Sequence, residues 1–228
     1  MKHKGKARQA GTRLIVWTLV LLLLLLAVGA IATVVGSLVA TAATTLVVLW
    51  LLFAIFSINF FRDPDPMVPA DPTAIVAPGH GLVDVIDETT ENEFMGGPCR
   101  RISIFLSIFD VHIQNAPVAG AVAYLKHRSG KFLNAMKTES STENENVLIG
   151  FESSEQPGEK IGVRLIAGLL ARRIIPWVAI GDILNRGDRI SLIQFGSRVD
   201  LYLPLTTQIR IKLGERVKGG ETVLATRS

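Results

Sequence analysis

The sequence predicts a mainly β protein of the α+β class, in which a compact antiparallel β domain follows an N-terminal two-helix transmembrane hairpin. Three observations lead to this prediction. A long stretch near the N-terminus contains no charged residue. The remainder alternates short apolar runs with turns rich in Gly and Pro, as strands do. A glycine pattern then recurs near the C-terminus. The 228 residues allow one domain of ordinary size besides the membrane segment.

The uncharged stretch is long enough to cross a membrane twice. Residues 14–61 include no Asp, Glu, Lys or Arg. A helical span needs roughly 20 apolar residues to cross a hydrocarbon core of about 30 Å, and residues 14–35 and 38–59 each meet this requirement. We therefore predict two spans joined by a short turn at Gly36-Ser37. A cleaved signal peptide is disfavoured because the apolar run continues past any cleavage point. One long buried helix without a charge is less expected still.

The basic residues predict the side of the membrane on which the chain ends lie. Residues 1–13 form a basic arm with five Lys and Arg and no acidic residue, and Arg62 follows the second span. The positive-inside rule then places both ends, and with them the β domain, on the cytoplasmic side of the cell (inner) membrane. Without the five arm residues the chain has 19 basic and 20 acidic residues. The high pI therefore reflects the arm and gives no support for a nucleic-acid partner.

The rest of the chain predicts a linker and then the β domain. Residues 60–72 are rich in Pro and Asp and predict an extended linker, so the domain is expected to span 73–228. Its first two strands are expected within Ala74–Ile86, on either side of a tight turn at Pro78-Gly79-His80-Gly81. Similar apolar runs predict further strands within 101–108, 118–124, 161–175 and 199–203.

A weak internal repeat refines the fold prediction. Residues 181–190 and 214–223 each carry two glycines six positions apart around an apolar residue, as in a turn that leads into a tightly folded β-hammerhead. The pattern is similar to that of biotinyl and lipoyl carrier domains, so the domain is expected to resemble a barrel-sandwich hybrid. Neither copy has the lysine tip of a carrier. The similarity therefore concerns fold and not carrier function.

Few residues outside the basic arm are candidates for chemistry. The histidines there are His80, His112 and His127, and a Gly196-Ser197 pair lies between two strand-like runs. A glycine before a serine gives the backbone conformations that other residues avoid, which would let the hydroxyl attack the preceding carbonyl. By itself the pair is nearly uninformative, since Gly36-Ser37 is another.

Several separated segments together resemble the short, hairpin-anchored class of phosphatidylserine decarboxylases. The first is the membrane exit, Phe60-Phe61-Arg62-Asp63-Pro64, and the last is the processing site, Phe195-Gly196-Ser197-Arg198-Val199-Asp200. The resemblance runs in order from about residue 60 to residue 204. The segments between these two are a histidine segment at 101–112 followed by Asn115-Ala116-Pro117-Val118, and blocks at 130–135, 143–146 and 166–174.

The resemblance implies a self-cleaving enzyme. In that family the serine attacks the glycine carbonyl, so cleavage is expected between Gly196 and Ser197, and Ser197 is expected to become a pyruvoyl group. This covalent cofactor would form a Schiff base with the amine of phosphatidylserine, and loss of CO2 would give phosphatidylethanolamine. Chains 1–196 and 197–228 are expected to stay together as a heterodimer, with a higher oligomer left open. No metal is implied.

The resemblance also assigns side chains, with two departures from the family pattern. His112 is expected to transfer a proton, because imidazole titrates near neutral pH. Longer members have a second histidine three residues later, where this chain has Asn115, a tentative substrate-binding residue. The family usually has Pro-Ala-Asp-Gly at the first turn, where this chain has His80 in place of Asp. His80 could be a replacement base, a substrate contact or a plain turn residue, and the missing charge could come from Asp84, Asp87 or Asp110.

Two alternatives to this function remain at the level of the sequence. One is a processing-deficient, membrane-anchored β module of carrier or adaptor type with no enzymatic activity. The other is a decarboxylase of a different lipid with a serine headgroup, such as an ether-linked archaetidylserine, because the reaction does not involve the lipid tails.

Overall fold

The computed structural model describes residues 6–131, 143–168, 173–194 and 197–227, with side chains from Ile15 onward. The chain forms two compact units, Met1–Ser57 and Ile58–Ser228. A helix forms the first unit, and the described strands all lie in the second. The strands pair antiparallel, and the predicted mainly β class is confirmed.

The N-terminal helix, α1, runs from Lys6 to Phe60 without interruption. The structure therefore differs from the predicted two-helix hairpin, because no turn occurs at Gly36-Ser37. The helix continues there because it contains no proline, and the Ser37 hydroxyl donates to the Val34 carbonyl oxygen at 2.8 Å within the same helix. Residues Ile15–Phe60 are long and apolar enough to cross a membrane.

The described part of the second unit contains three antiparallel sheets. An eight-stranded sheet has the order β13-β2-β3-β11-β7-β6-β5-β9, and two three-stranded sheets have the orders β1-β14-β12 and β4-β10-β8. The strands are β1 Ala74–Val76, β2 Gly81–Glu91, β3 Gly97–Leu106, β4 Ile113–Asn115, β5 Gly120–Arg128, β6 Asn146–Ser153, β7 Lys160–Ala167, β8 Arg173–Pro176, β9 Ile183–Leu184, β10 Arg189–Gln194, β11 Ser197–Leu203, β12 Gln208–Ile209, β13 Arg216–Val217 and β14 Val223–Thr226.

Two halves of the β domain repeat one pattern of backbone hydrogen bonds. The amide of Gly220 donates to the carbonyl of Ala77 at 2.8 Å, and in the other half the amide of Gly187 donates to the carbonyl of Ala116 at 2.9 Å. Both glycines have positive φ, 73° and 86°, which favours glycine over other residues. The repeat seen in the sequence therefore has a structural counterpart nearer the N-terminus. Segment 77–83 of one half is equivalent to segment 116–122 of the other, and segment 214–223 is equivalent to segment 181–190.

Residues 60–72 belong to the β domain and are not a free linker. They have no regular strand, as predicted, but arginines of the domain hold them along their length. Arg189 pairs with Asp63 at 2.6 Å and with Asp65 at 2.8 Å. The Arg186 guanidinium donates to the carbonyls of Pro69, Asp71 and Pro72. The compact unit thus begins at Ile58, earlier than the predicted boundary at 73, because these long-range contacts attach residues 60–72 to the β domain.

Candidate active site

Ser197 is the first residue of the central strand β11. It pairs with Leu106, the last residue of β3, on one side and with Ala167 of β7 on the other. Side chains alternate along a strand, so Ser197 faces the same way as Val199, which belongs to the apolar core. The serine is fully buried, and its hydroxyl has no hydrogen-bond partner among the described residues. Gly196, the other half of the predicted cleavage site, lies outside the described residues.

His112 lies in the loop that follows β3, at the same end of that strand as Ser197. It is fully buried, and its ring lies against the ring of Phe60, with 4.2 Å between the ring centres. Its backbone carbonyl accepts a hydrogen bond from the amide of Ile193 at 3.2 Å. Ile193 belongs to β10, the strand that leads towards Ser197. His112 is therefore anchored to the strand that precedes the predicted cleavage site.

The surroundings of His112 favour a neutral imidazole. Nδ1 lies 2.9 Å from the carbonyl oxygen of Asp110. A carbonyl only accepts, so Nδ1 carries the proton and Nε2 is the basic nitrogen. Burial lowers the pKa of His112 to about 4, an effect that the charges of Arg62 and His80 increase and that Asp110 opposes. His112 is therefore neutral at neutral pH and can accept a proton.

His80 lies at the turn between β1 and β2, close to the same site. A Cβ placed on the preceding residue, Gly79, would lie 3.6 Å from Val199 Cγ2 and 3.8 Å from Leu106 Cδ2, so the turn packs beside the start of β11. Burial also lowers the pKa of His80, with Glu221 opposing the shift. The electrostatic influence of His80 on His112 indicates that the two imidazoles lie in one cluster.

Asn115 lies beside His80, and hydrogen bonds to backbone carbonyls occupy its side-chain amide and its backbone amide. Its side-chain amide donates to the carbonyl of Gly187 at 2.8 Å, and its backbone amide donates to the carbonyl of Pro78 at 2.9 Å. Its Oδ1 faces Gly219, where an added Cβ would lie 2.7 Å from Oδ1 and 3.1 Å from His80 Cδ2. A substrate-binding role for Asn115 stays a prediction.

The three aspartates proposed to replace the missing family aspartate have different surroundings. Asp84 pairs with Arg198, and Asp87 pairs with Arg101. Asp110 accepts hydrogen bonds from the amide and hydroxyl of Ser107. Of the three, Asp110 contributes to the pKa values of both site histidines. It is therefore the carboxylate best placed to act on the site, through electrostatics.

Three contributors to the site were not identified as such from the sequence. In the sequence, Phe60 and Arg62 belong to the membrane-exit block, and Gly219 belongs to no motif. Phe60 covers His112, Arg62 influences both histidines, and Gly219 contacts His80 and Asn115. The Phe60-Phe61-Arg62 block was a usable signal, whereas nothing local marks Gly219.

A hydroxyl in the core, a neutral buried imidazole and a second histidine lie at one end of an antiparallel β domain and together form a candidate active site. The comparisons with known proteins specify it further. The family described as phosphatidylserine decarboxylase matches residues 53–225, which include Ser197, His112 and His80. The chain therefore belongs to the phosphatidylserine decarboxylase family, and it is a decarboxylase.

Individual relatives agree with this family. A protein of Desulfotalea psychrophila is 42% identical over 169 residues, covering 74% of this chain and 78% of its own length. A protein of Erythrobacter litoralis is 47% identical over 186 residues, covering 75% and 73%. One of Nocardia farcinica is 45% identical over 173 residues, covering 75% and 72%. Each of them is named a phosphatidylserine decarboxylase proenzyme.

Proposed function

We propose that this chain cuts itself between Gly196 and Ser197, converts Ser197 into a pyruvoyl group, and decarboxylates phosphatidylserine to phosphatidylethanolamine and CO2. The buried Ser197 hydroxyl carries the proposal. A buried polar group without a partner costs about 1–3 kcal/mol, and such a group is expected to persist where it has a chemical role. The Ser197 hydroxyl has no partner among the described residues and follows a glycine in the chain. The site thus fits a serine-derived pyruvoyl group.

Self-cleavage needs a base for the serine proton, and we assign this role to His80. Ser197 Oγ attacks the carbonyl carbon of residue 196, the C–N bond breaks, and the hydroxyl proton passes through the base to the released nitrogen. Removal of the Cα proton of residue 197 then breaks the Cβ–O bond and frees the carboxylate of residue 196. Water finally displaces the nitrogen as ammonia. His80 suits the first step because its lowered pKa keeps it neutral and its turn packs beside β11.

His112 is assigned to the decarboxylation itself. The pyruvoyl group supplies an electrophilic carbonyl, which no side chain has, to accept the electrons that departing CO2 leaves. His112, neutral in the free enzyme, would take up a proton at Nε2 from the substrate ammonium and deliver it to the carbon that loses the carboxyl group. An anionic headgroup beside this imidazole would raise its pKa from about 4 and favour protonation only when substrate is present.

The test is the covalent state of the purified chain. We expect denaturing electrophoresis to separate chains 1–196 and 197–228, and mass spectrometry to find a keto group at the start of the shorter one. Ser197→Ala should stay uncut and inactive. Ser153→Ala, which removes another buried hydroxyl, should be cut normally. An intact wild-type chain without activity would contradict the proposal and favour a non-enzymatic β module.

We further propose that α1 anchors the protein in the cell membrane with the β domain on the cytoplasmic side. The support is the basic arm before α1 and Arg62 after it. A single crossing would put the two ends of α1 on opposite sides, so this side for the β domain requires that the segment turn back in the bilayer and cross twice. Ile15–Phe60 is long enough for two crossings, because as a continuous helix it would measure about 69 Å, more than twice the hydrocarbon thickness. Protease digestion of inverted membrane vesicles should degrade the β domain. Protection there would contradict the assigned side.

A further inference from the structure

Arg62 joins the end of α1 to the loop that carries His112. Its Nη1 donates to the Asn59 carbonyl at 2.6 Å and to the Asn59 side-chain oxygen, and its Nη2 donates to the Phe109 carbonyl at 2.8 Å. Phe60, two residues earlier, lies against the His112 ring. These contacts fix the guanidinium beside the catalytic loop, and they use three of the five N–H groups that an arginine offers.

The charge of Arg62 has no counterion in the described part of the chain. Among the arginines whose side chains the structure describes, it is the only half-buried or buried one without a carboxylate within salt-bridge distance. The nearby cations differ in this respect: Arg216 pairs with Asp110 at 3.0 Å, and Lys218 pairs with Glu221 at 3.5 Å. A partly desolvated cation without a partner is a site for an anion.

The field of this cation reaches the catalytic centre. The positive charge of Arg62 lowers the pKa of both His80 and His112. Such an effect requires proximity, because charge interactions weaken with distance and with solvent screening. An anion held by Arg62 would therefore lie close to the reacting groups, at most about one Debye length, roughly 10 Å, away.

Exposed aromatic rings flank Arg62. Phe61 follows the last residue of α1 and is 46% exposed, and Phe109, whose carbonyl Arg62 binds, is 69% exposed. A cation between exposed aromatic rings at the end of an apolar helix matches an amphiphile, in which a charged headgroup adjoins hydrocarbon. A soluble anion would gain nothing from the rings. This arrangement favours a lipid as the source of the anion.

We propose that Arg62 binds the phosphodiester of the lipid substrate and so sets the headgroup against Ser197 and His112. This inference rests on the proposed function. The phosphodiester is favoured over the substrate carboxylate because the carboxylate must leave as neutral CO2. A cation bound to it would stabilise the ground state more than the transition state and slow the reaction. The phosphodiester keeps its charge throughout, so binding it only positions the substrate.

The experiment compares Arg62→Gln and Arg62→Lys with wild type and with Arg210→Gln. Arg210 is an exposed arginine that also lacks a carboxylate partner and bonds to Thr226 and Gln208. Self-cleavage, measured by mass spectrometry, shows whether each variant has folded. Decarboxylation of phosphatidylserine in neutral detergent micelles gives KM and kcat. We expect the Arg62→Gln variant to be cut. Its KM should rise roughly 10-fold or more, with a much smaller change in kcat, because the substitution removes a charge-assisted hydrogen bond to the substrate.

Arg62→Lys should fall between wild type and Arg62→Gln, because a lysine keeps the charge and loses the fork of donors. If Arg62→Gln is not cut, Arg62→Lys supplies the KM measurement, and an unchanged KM would overturn the inference. A fall in kcat at unchanged KM would also overturn it. Failure of wild type to cut itself or to release CO2 would instead refute the proposed function on which the inference rests.

Soluble competitors identify the bound group. sn-Glycero-3-phosphoserine carries the phosphodiester without tails, and serine lacks it. We expect the first to inhibit wild type more strongly than Arg62→Gln, and serine to inhibit both equally. Inorganic phosphate should compete poorly at the same concentration. If phosphate competes as well as glycerophosphoserine, the site binds a free anion and the lipid assignment is wrong.

Discussion

At the scale of the residue, burial fixes the form and the position of the His112 imidazole. Its ring is fully enclosed, Phe60 covers it, and Nδ1 donates to the Asp110 carbonyl. Together these contacts fix the tautomer and the orientation and leave Nε2 as the basic atom. His127, in contrast, is an exposed histidine that pairs with the Glu145 carboxylate at 3.0 Å.

The lowered pKa of His112 predicts the acid limit of activity. Because its pKa is about 4, His112 stays neutral as the pH falls through the range in which an ordinary histidine gains a proton. We expect kcat/KM, which reports the free enzyme, to stay level down to about pH 5 and to fall below that. His112→Ala should lower kcat by roughly 100-fold or more.

The control for this profile is His127→Gln, which changes an exposed histidine and should leave both the rate and the acid limb unchanged. An acid limb with its midpoint between about pH 6 and 7 in the wild type would contradict the assignment, because it would indicate a histidine with an ordinary pKa.

Gly219 is predicted to tolerate no side chain. An added Cβ would lie 2.7 Å from Asn115 Oδ1 and 3.1 Å from His80 Cδ2, so both side chains would have to move. We expect Gly219→Ala to cost about 1–3 kcal/mol of stability and to slow self-cleavage. Gly97→Ala is the control, since no heavy atom lies within 4 Å of its Cβ position. Thermal unfolding and electrophoresis measure the two effects, and normal cleavage in Gly219→Ala would contradict the prediction.

At the scale of the element, the pairing of β11 would have to keep Ser197 in place after the proposed cleavage. Ser197 would then be a chain end, kept in place by its pairing with β3 and β7 and by the next residue, Arg198, whose buried guanidinium pairs with Asp84. Burial raises the pKa of Asp84, and the Arg198 charge opposes that rise. The ion pair thus lies on the face of β11 opposite Ser197 and fixes the strand at the point of cleavage.

Breaking this ion pair should destabilise the protein strongly. Removing one partner of a fully buried pair costs roughly 3–5 kcal/mol, because the other charge is left without compensation. The Asp84 side chain is 25% exposed, so the cost here should lie at the lower end of that range. We therefore expect Arg198→Met to lower the free energy of unfolding by about that amount, measured by urea in the uncut Ser197→Ala background. Adding Asp84→Leu should restore part of the loss. Lys131→Met, which breaks the exposed 2.9 Å pair with Glu143, should cost much less, and equal losses would contradict the argument.

At the scale of the whole molecule, the proposed cleavage would leave two interleaved chains. The shorter chain, 197–228, contributes β11 to the middle of the eight-stranded sheet, β13 to its edge, and β12 and β14 to another sheet. Every residue of β11 is buried. Near the C-terminus, Arg227 pairs with Glu155 at 3.0 Å and with Glu159 at 2.8 Å, and both carboxylates belong to the longer chain.

The cleaved protein should therefore behave as one particle. We expect the two chains to co-elute in size-exclusion chromatography in neutral detergent, and to stay together in about 1 M NaCl, because salt screens charges but does not expose a buried strand. Denaturant should separate them. Separation by salt alone would show that surface charge, and not the shared sheet, holds the chains together.

Much of this architecture was predictable from local patterns. The apolar helix region, the turn at Pro78–Gly81 and the strands on both sides of it lie where apolar periodicity and turn residues indicate, and β11 begins two residues before the predicted strand at 199–203. The continuity of α1 and the attachment of residues 60–72 to the β domain were not predictable in this way. A Gly-Ser pair permits a turn without requiring one, and the segment 60–72 is held by arginines more than 110 residues away in the chain.

The sequence by itself determined the membrane segment, the β character, and the histidine and serine on which the chemistry is proposed to depend, because each is set by composition or by neighbours in the chain. Only the tertiary structure decided that α1 is continuous and that Phe60, Arg62 and Gly219 surround His80 and His112. These contacts depend on strand register and on chain segments that meet from a distance, such as Arg62 with Phe109, 47 residues apart. Local patterns do not encode them, since pairing between distant segments is fixed by the packing of the whole domain.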